Sequence, residues 1–157
     1  MHDSIEDKLK EMGLELPAVA RPLAAYVPAV QCGGFVYTSG QLPLVKGELA
    51  YRGKVGRDCT EEDARAAAKI CALNCLAAVR DLIGPLDRIE RIVKLVGFVN
   101  CVDSFAMQPK VMNGASEFLS ELFGDKGQHA RSAVGTNALP LDSPVEVELV
   151  VKIKVSE

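Results

Sequence analysis

The sequence predicts one α+β domain with the element order β-β-α-β-α-β-β, a mixed sheet with two helices on one face. Three observations lead there. Small and apolar residues recur at helical spacing from Ala64 to Leu82 and again from Met112 to Leu122. Runs rich in Val and Ile lie between and after these two stretches, at strand length. A length of 157 residues is enough for one hydrophobic core, so residues 1–157 are expected to form a single domain.

At the N-terminus, Ser4 followed by Asp7, with Leu9 and Met12 on one side, predicts a short capped amphipathic helix. Gly13 ends it, and a proline-punctuated extended segment follows, so residues 1–25 read as an N-terminal extension. Gly34–Thr38 is the first expected strand, entered through two glycines, and Lys46–Val55 is an exposed second one. Thr60 and the acids after it open the first long helix, where the helix dipole favours negative charge. Its stripe of small residues predicts close packing on a sheet, and Gly84-Pro85 stops it. Ile89–Val102 is apolar on both alternating faces, which marks a central strand. The second helix is expected from Asp103 or Ser104, with Pro109 near its first turn and Gly124 at its end. Asn113-Gly114, in its middle, marks a point of close approach. Crossovers of one hand put both helices on the same face. The other face is then left apolar and bare, and a second copy of the chain is its natural cover.

Apolar residues at 48% and charged residues at 25% are ordinary for a globular protein. A net charge of −3, with scattered Lys and Arg, argues against nucleic acid as the main partner. No run is long and apolar enough to span a bilayer, and the acidic, polar start does not read as a signal peptide. A cytoplasmic location is the expectation. The five cysteines are odd in number and form no Cys-x-x-Cys pair, so they read as buried apolar residues, and no metal site is expected.

The stretch with most chemistry is His129–Gly135 with Val145–Leu149. Arg131 sits at the start of one strand, and Glu146 and Glu148 lie two apart on one face of the last. Charge in such apolar surroundings is costly unless it is exposed, paired or kept for a ligand. Two readings stand for Arg131: an ion pair with Glu146 or Glu148, or a guanidinium that clamps a carboxylate ligand. Glu146 is either a structural partner or a carboxylate that positions or deprotonates a water. Tyr26 places an aromatic hydroxyl before the first strand, and Ser39 is a turn residue rather than a nucleophile, there being no Gly-x-Ser-x-Gly elbow. His129 is expected to point away from Arg131 and to be structural or an interface group.

These residues resemble the RidA family, also called the YjgF/YER057c/UK114 or endoribonuclease L-PSP-like family. The resemblance runs from Tyr26 onward. It rests on Tyr37-Thr38-Ser39-Gly40-Gln41-Leu42-Pro43, the Asn113 helix, Ala130-Arg131-Ser132-Ala133-Val134 and Leu139-Pro140 through Val145-Glu146-Val147-Glu148. It implies a chorismate-mutase-like fold, a homotrimer with a central barrel, and clefts between subunits. It also implies an imine deaminase, a hydrolase that converts 2-imino acids such as 2-aminoacrylate to 2-keto acids and ammonia without a cofactor. On this likeness Arg131 grips the substrate carboxylate and Glu146 positions the water. Tyr26, Ser39, Gly40, Asn113 and Ala133 line the cleft. Ala133 stands where the family often has cysteine, and His129 where it usually has a small residue or proline, which suggests a divergent subfamily. The alternative is a trimer that binds carboxylate metabolites, as a regulator, without turnover. A link of the family to RNA is the weakest reading here, given the acidic charge.

Overall fold

The computed structural model of the chain describes residues 4–19 and 21–155; residues 1–3 and 20 of the N-terminal extension lie outside these. Helix α1 (Ile5–Glu11) is followed by strands β1 (Ala29–Cys32) and β2 (Phe35–Thr38) and by a small hairpin, β3 (Leu44–Val45) with β4 (Glu48–Leu49). Helix α2 (Glu61–Ile83), β5 (Ile89–Asn100), α3 (Gln108–Phe123), β6 (Ala130–Thr136) and β7 (Val145–Ile153) complete the order. The main sheet is five-stranded in the order β1-β2-β7-β5-β6, with β5 parallel to β6 and antiparallel to β7. This is the expected α+β fold, with a mixed sheet and the strand–helix order β-β-α-β-α-β-β. Among the described residues no helix is long and apolar enough to cross a membrane.

The expected strands differ from the observed ones in one place. Lys46–Val55 is not the second strand of the main sheet. Positive φ angles at Lys46, Gly47 and Gly53, and at Gly56 just after it, break that stretch into turns, leaving within it only the two-residue strand β4, which pairs with β3 just before it. The sheet instead begins at Ala29, and the two glycines expected to allow close approach form the turn of a hairpin. Cys32 pairs with Phe35 across them, and Gly33 has φ 58°. The second long helix also starts later than expected, at Gln108. The amide of Phe105 donates to the Val102 carbonyl (3.0 Å), which spends Asp103 and Ser104 on a turn, and Pro109 then occupies the first helical turn.

Alternation along β7 separates the two faces of the sheet. Val145, Val147, Leu149, Val151 and Ile153 are buried beneath the helices, whereas Glu146, Glu148, Val150 and Lys152 face the other way. Helix α2 approaches closely because its buried stripe is Ala64, Ala67, Cys71, Cys75 and Ala78. The Cys75 thiol reaches the Val147 carbonyl (3.3 Å), and the Thr38 hydroxyl accepts from the Leu149 amide (3.0 Å). Each fully buried Leu or Ile here, such as Leu76, Ile92, Leu95 and Leu119, contributes roughly 1.5–3 kcal/mol.

Helix α1 has the capping box foreseen from Ser4 and Asp7 and buries Leu9. Its Glu6 accepts from the Leu86 amide (3.0 Å) and lies 3.5 Å from Arg80, so it seals the connection between α2 and β5.

Gly114 marks the close approach anticipated at Asn113-Gly114: a Cβ there would run into the backbone carbonyl of Arg65 on α2. Gly114→Ala is therefore expected to force the two helices apart and cost about 1–3 kcal/mol. Urea unfolding of the two proteins checks this; an unchanged midpoint would contradict it.

Candidate functional site

Register decides where the charged residues point. Arg131 is paired with Leu95, which is paired with Leu149, and both leucines are buried under the helices. Partners in register share a face, so the Arg131 side chain leaves the sheet on the helix side. There Nη1 donates to Asn113 Oδ1 (2.9 Å) and to Ser116 Oγ (3.1 Å). Asn113 and Ser116 are three apart on α3 and so lie on one helix face. Both hydrogens of Nη1 are thereby used. Nε and Nη2 make no hydrogen bond to any described residue, and none of the ion pairs among the described residues includes Arg131.

Glu146 is in register with Phe98, and Glu148 with Val96, on the opposite face. The ion-pair reading of Arg131 with either glutamate is therefore ruled out within one chain: the sheet itself stands between them. Glu146 is half-buried against the turn after β2, where a Cβ on Gly40 would collide with its carboxylate. That turn is fixed from two sides. The amide of Gln41 donates to the Val147 carbonyl (2.8 Å), and the Asn74 side-chain amide on α2 donates to the carbonyls of Leu42 (2.9 Å) and Leu44 (3.0 Å). Burial, and secondarily the charge of Glu148, holds the Glu146 carboxyl above the usual glutamate value.

The remaining expected residues fall into other places. The Ser39 hydroxyl donates to the Val27 carbonyl (2.6 Å), a backbone tie that fits a turn residue. Ala133 is in register with Gly97 on the Arg131 face and packs partly against the core. Tyr26 is 57% exposed and lines a groove of about 520 Å³ with Arg21, Pro22, Asp81 and Leu82. Neither Arg131 nor Glu146 borders that groove. The chain thus brings Arg131 together with Asn113, and Glu146 with Gly40, but keeps the two groups and Tyr26 apart.

His129 corrects the sequence expectation. It lies two residues from Arg131, which in a strand means the same face, not the opposite one. Its Nε2 is 2.9 Å from Ser116 Oγ, the atom that also receives Arg131, and its Nδ1 is 2.6 Å from the Gly127 carbonyl. Ser116 had no signal of its own in the sequence beyond its spacing from Asn113. Four of the five cysteines, Cys59, Cys71, Cys75 and Cys101, are buried as expected, but Cys32 is exposed, because it sits beside the hairpin turn at the end of the edge strand β1. Burial pushes the Cys75 thiol up to about 12, so it stays protonated and unreactive.

The face that carries Glu146 is largely apolar and open. Val30, Tyr37 and Val134 are about half exposed on it, with Phe98 and Val96 beside the two glutamates.

The sign of the Glu146 shift gives a test. A carboxyl raised by folding holds its proton to higher pH than in the unfolded chain, so its ionisation lowers stability as pH rises from about 4.5 through the raised value. Carbon-13 NMR titration of Glu146 is expected to give a midpoint above the model-peptide glutamate value. Glu148→Gln should move it down, and a midpoint at or below that value in the wild type would refute the assignment.

Residues 6–153 match the model of the family described as "YjgF/chorismate mutase-like, putative endoribonuclease". Protein TCP17 of Trypanosoma cruzi is 40% identical over 146 residues, spanning 92% of this chain and 91% of its own. The crystal structure of Atu1372 from Agrobacterium tumefaciens, a protein of unknown function, is 45% identical with a TM-score of 0.90, covering 98% of this chain and 95% of that one. TdcF of E. coli, solved with bound serine, shares the fold at 22% identity and a TM-score of 0.62, over 87% of this chain and 94% of its own.

Proposed function

The chain belongs to the YjgF/chorismate-mutase-like family, and on that premise we propose that it hydrolyses reactive 2-imino acids, of the 2-aminoacrylate and 2-iminobutanoate kind, to 2-keto acids and ammonia. The observation that carries this reading is the state of Arg131. It is held by two neutral acceptors on α3 and by no carboxylate among the described residues, so its charge remains for a ligand. A guanidinium with Nε and Nη2 unspent offers the paired, parallel donors that a carboxylate takes. Serine bound to TdcF is a small carboxylate-bearing metabolite of the sort such a clamp fits.

The reaction needs little beyond orientation. A 2-imino acid is already electrophilic at C2, so fixing its carboxylate on Arg131 and presenting a water lowers the barrier mainly by removing freedom of approach. Glu146, with its raised carboxyl, accepts a proton from the water as oxygen bonds to C2. The C=N π electrons move to nitrogen, which takes that proton to give a neutral carbinolamine. In the second step Glu146 carries the hydroxyl proton from oxygen to nitrogen as the C–N bond breaks, releasing ammonia and leaving the C2 carbonyl. Hydrogen and charge balance across the two steps, and Glu146 ends as it began.

Arg131 and Glu146 lie on opposite faces of one sheet, so a site that uses both must draw them from different copies of the chain. We therefore assign the site to a cleft between subunits of a homotrimer. The open apolar face bearing Val30, Tyr37 and Val134 supplies surface for such an assembly.

Three measurements decide this. Purified protein should accelerate keto-acid release from freshly generated 2-iminobutanoate, and Arg131→Ala and Glu146→Gln should each lower kcat/KM by about 10²-fold or more. Ligand binding without turnover would replace the enzyme with a carboxylate-binding regulator. Sedimentation equilibrium should give three times the chain mass, and Val134→Glu on the open face should shift it towards one chain mass.

A further inference from the structure

We propose that His129 is a positioning residue for Arg131, acting through Ser116, and that it sets how tightly the protein grips the carboxylate of its ligand. The proposal rests on Arg131 being the group that takes that carboxylate.

The direction of each hydrogen bond follows from which partner can donate. A backbone carbonyl only accepts, so the 2.6 Å contact of His129 Nδ1 with the Gly127 oxygen puts the ring proton on Nδ1. In the neutral ring Nε2 is then an acceptor, and the Ser116 hydroxyl, 2.9 Å away, donates to it. With its one hydrogen committed, Ser116 Oγ can only accept from Arg131 Nη1 at 3.1 Å. The chain reads Arg131 to Ser116 to His129 to Gly127, every donor matched to an acceptor. Burial favours the neutral ring on which this order depends; it outweighs the Gly127 carbonyl bond, which favours the charged ring, and the charge of Arg131 adds to it.

The far end is rigid. Gly127 packs so closely on α3 that a Cβ there would overlap the Leu119 carbonyl, and it closes the single helical turn Gly124–Gly127 after that helix. The imidazole therefore bridges a fixed carbonyl in the turn after α3 and the Ser116 hydroxyl, about two turns before the end of that helix. Without it, the Ser116 hydroxyl can rotate its hydrogen towards Arg131, where two donors would oppose each other. Arg131 would then keep only the Asn113 amide, and its unspent Nε and Nη2 would lose a defined direction. Ser132, the next residue along β6, cannot substitute, because its register with Val96 places it on the opposite face.

Calorimetric binding of 2-ketobutyrate to the intact protein tests this without requiring turnover. Arg131→Ala should abolish binding. His129→Ala and Ser116→Ala should each weaken it about fivefold to tenfold, and the double variant should be no weaker than either single one, since one path is broken in both cases. His129→Gln, which offers an acceptor oxygen, should recover most of the loss. Where imine turnover is measurable, His129→Ala should raise KM by a similar factor and leave kcat within about twofold. Nitrogen-15 spectra of the wild type should show the His129 ring protonated at Nδ1 alone, with Nε2 shifting when ligand is added; these spectra hold the test open if His129→Ala folds poorly. Wild-type affinity in His129→Ala, additive losses in the double variant, or a ring protonated at Nε2 would overturn the proposal while leaving the role of Arg131 intact. Unchanged binding in Arg131→Ala would overturn that role and the proposal with it.

Discussion

Everything at the candidate site depends on the register of β5 with its two neighbours. Strand β5 pairs with β7 on one side and with β6 on the other, so a single set of hydrogen bonds fixes which residues of three strands share a face. Side chains alternate with a period of two, and a slip of one residue would exchange the faces. It would carry Glu146 and Glu148 into the helix-covered core and turn Arg131 away from Asn113. The burial of Leu95, Val147, Leu149 and Val151 opposes such a slip. The apolar core thus holds the polar residues in place, although it contributes none of the chemistry.

Much of this was legible in the residues. The capped α1, the small-residue stripe of α2, the apolar length of β5 and the close approach at Gly114 each follow from spacing or residue size, and each is found. What could not be read was how segments distant in sequence are paired. Nothing in Ala29–Cys32 alone separates it from the proline-punctuated stretch before it; it becomes a strand because the Gly33-Gly34 turn folds it back onto β2. Lys46–Val55 has the composition of an exposed strand, but its glycines take up left-handed conformations and spend the segment on turns.

The site was legible to a similar depth. Composition and motif picked out Arg131, Glu146, Asn113 and Gly40, and the geometry ties Arg131 to Asn113 and Glu146 to Gly40. That Arg131 and Glu146 occupy opposite faces follows only from the pairing of three strands. Ser116 was not singled out and His129 was expected on the wrong face, for different reasons. Serine on a helix face is common, and His129, two residues before Arg131, falls on the same side as Arg131 by the alternation of a strand, where both meet the Ser116 hydroxyl. The two glutamates also differ in setting, for Glu146 abuts a glycine turn that is itself tied to β7 and to α2.

The seal made by α1 bears on how the chain reaches this arrangement. Seven residues are too few for a helix to persist alone in water, so α1 has little independent existence before its docking surface forms. That surface is the α2–β5 connection, about eighty positions later in the chain, where Ile5 and Glu6 meet Asp87 and Leu86. Bringing the ends of so long a loop together carries an entropic cost that must be met before its contacts repay it. The first helix in the sequence thus depends for its order on a surface formed far along the chain, and its Leu9 joins a core built mostly from later elements.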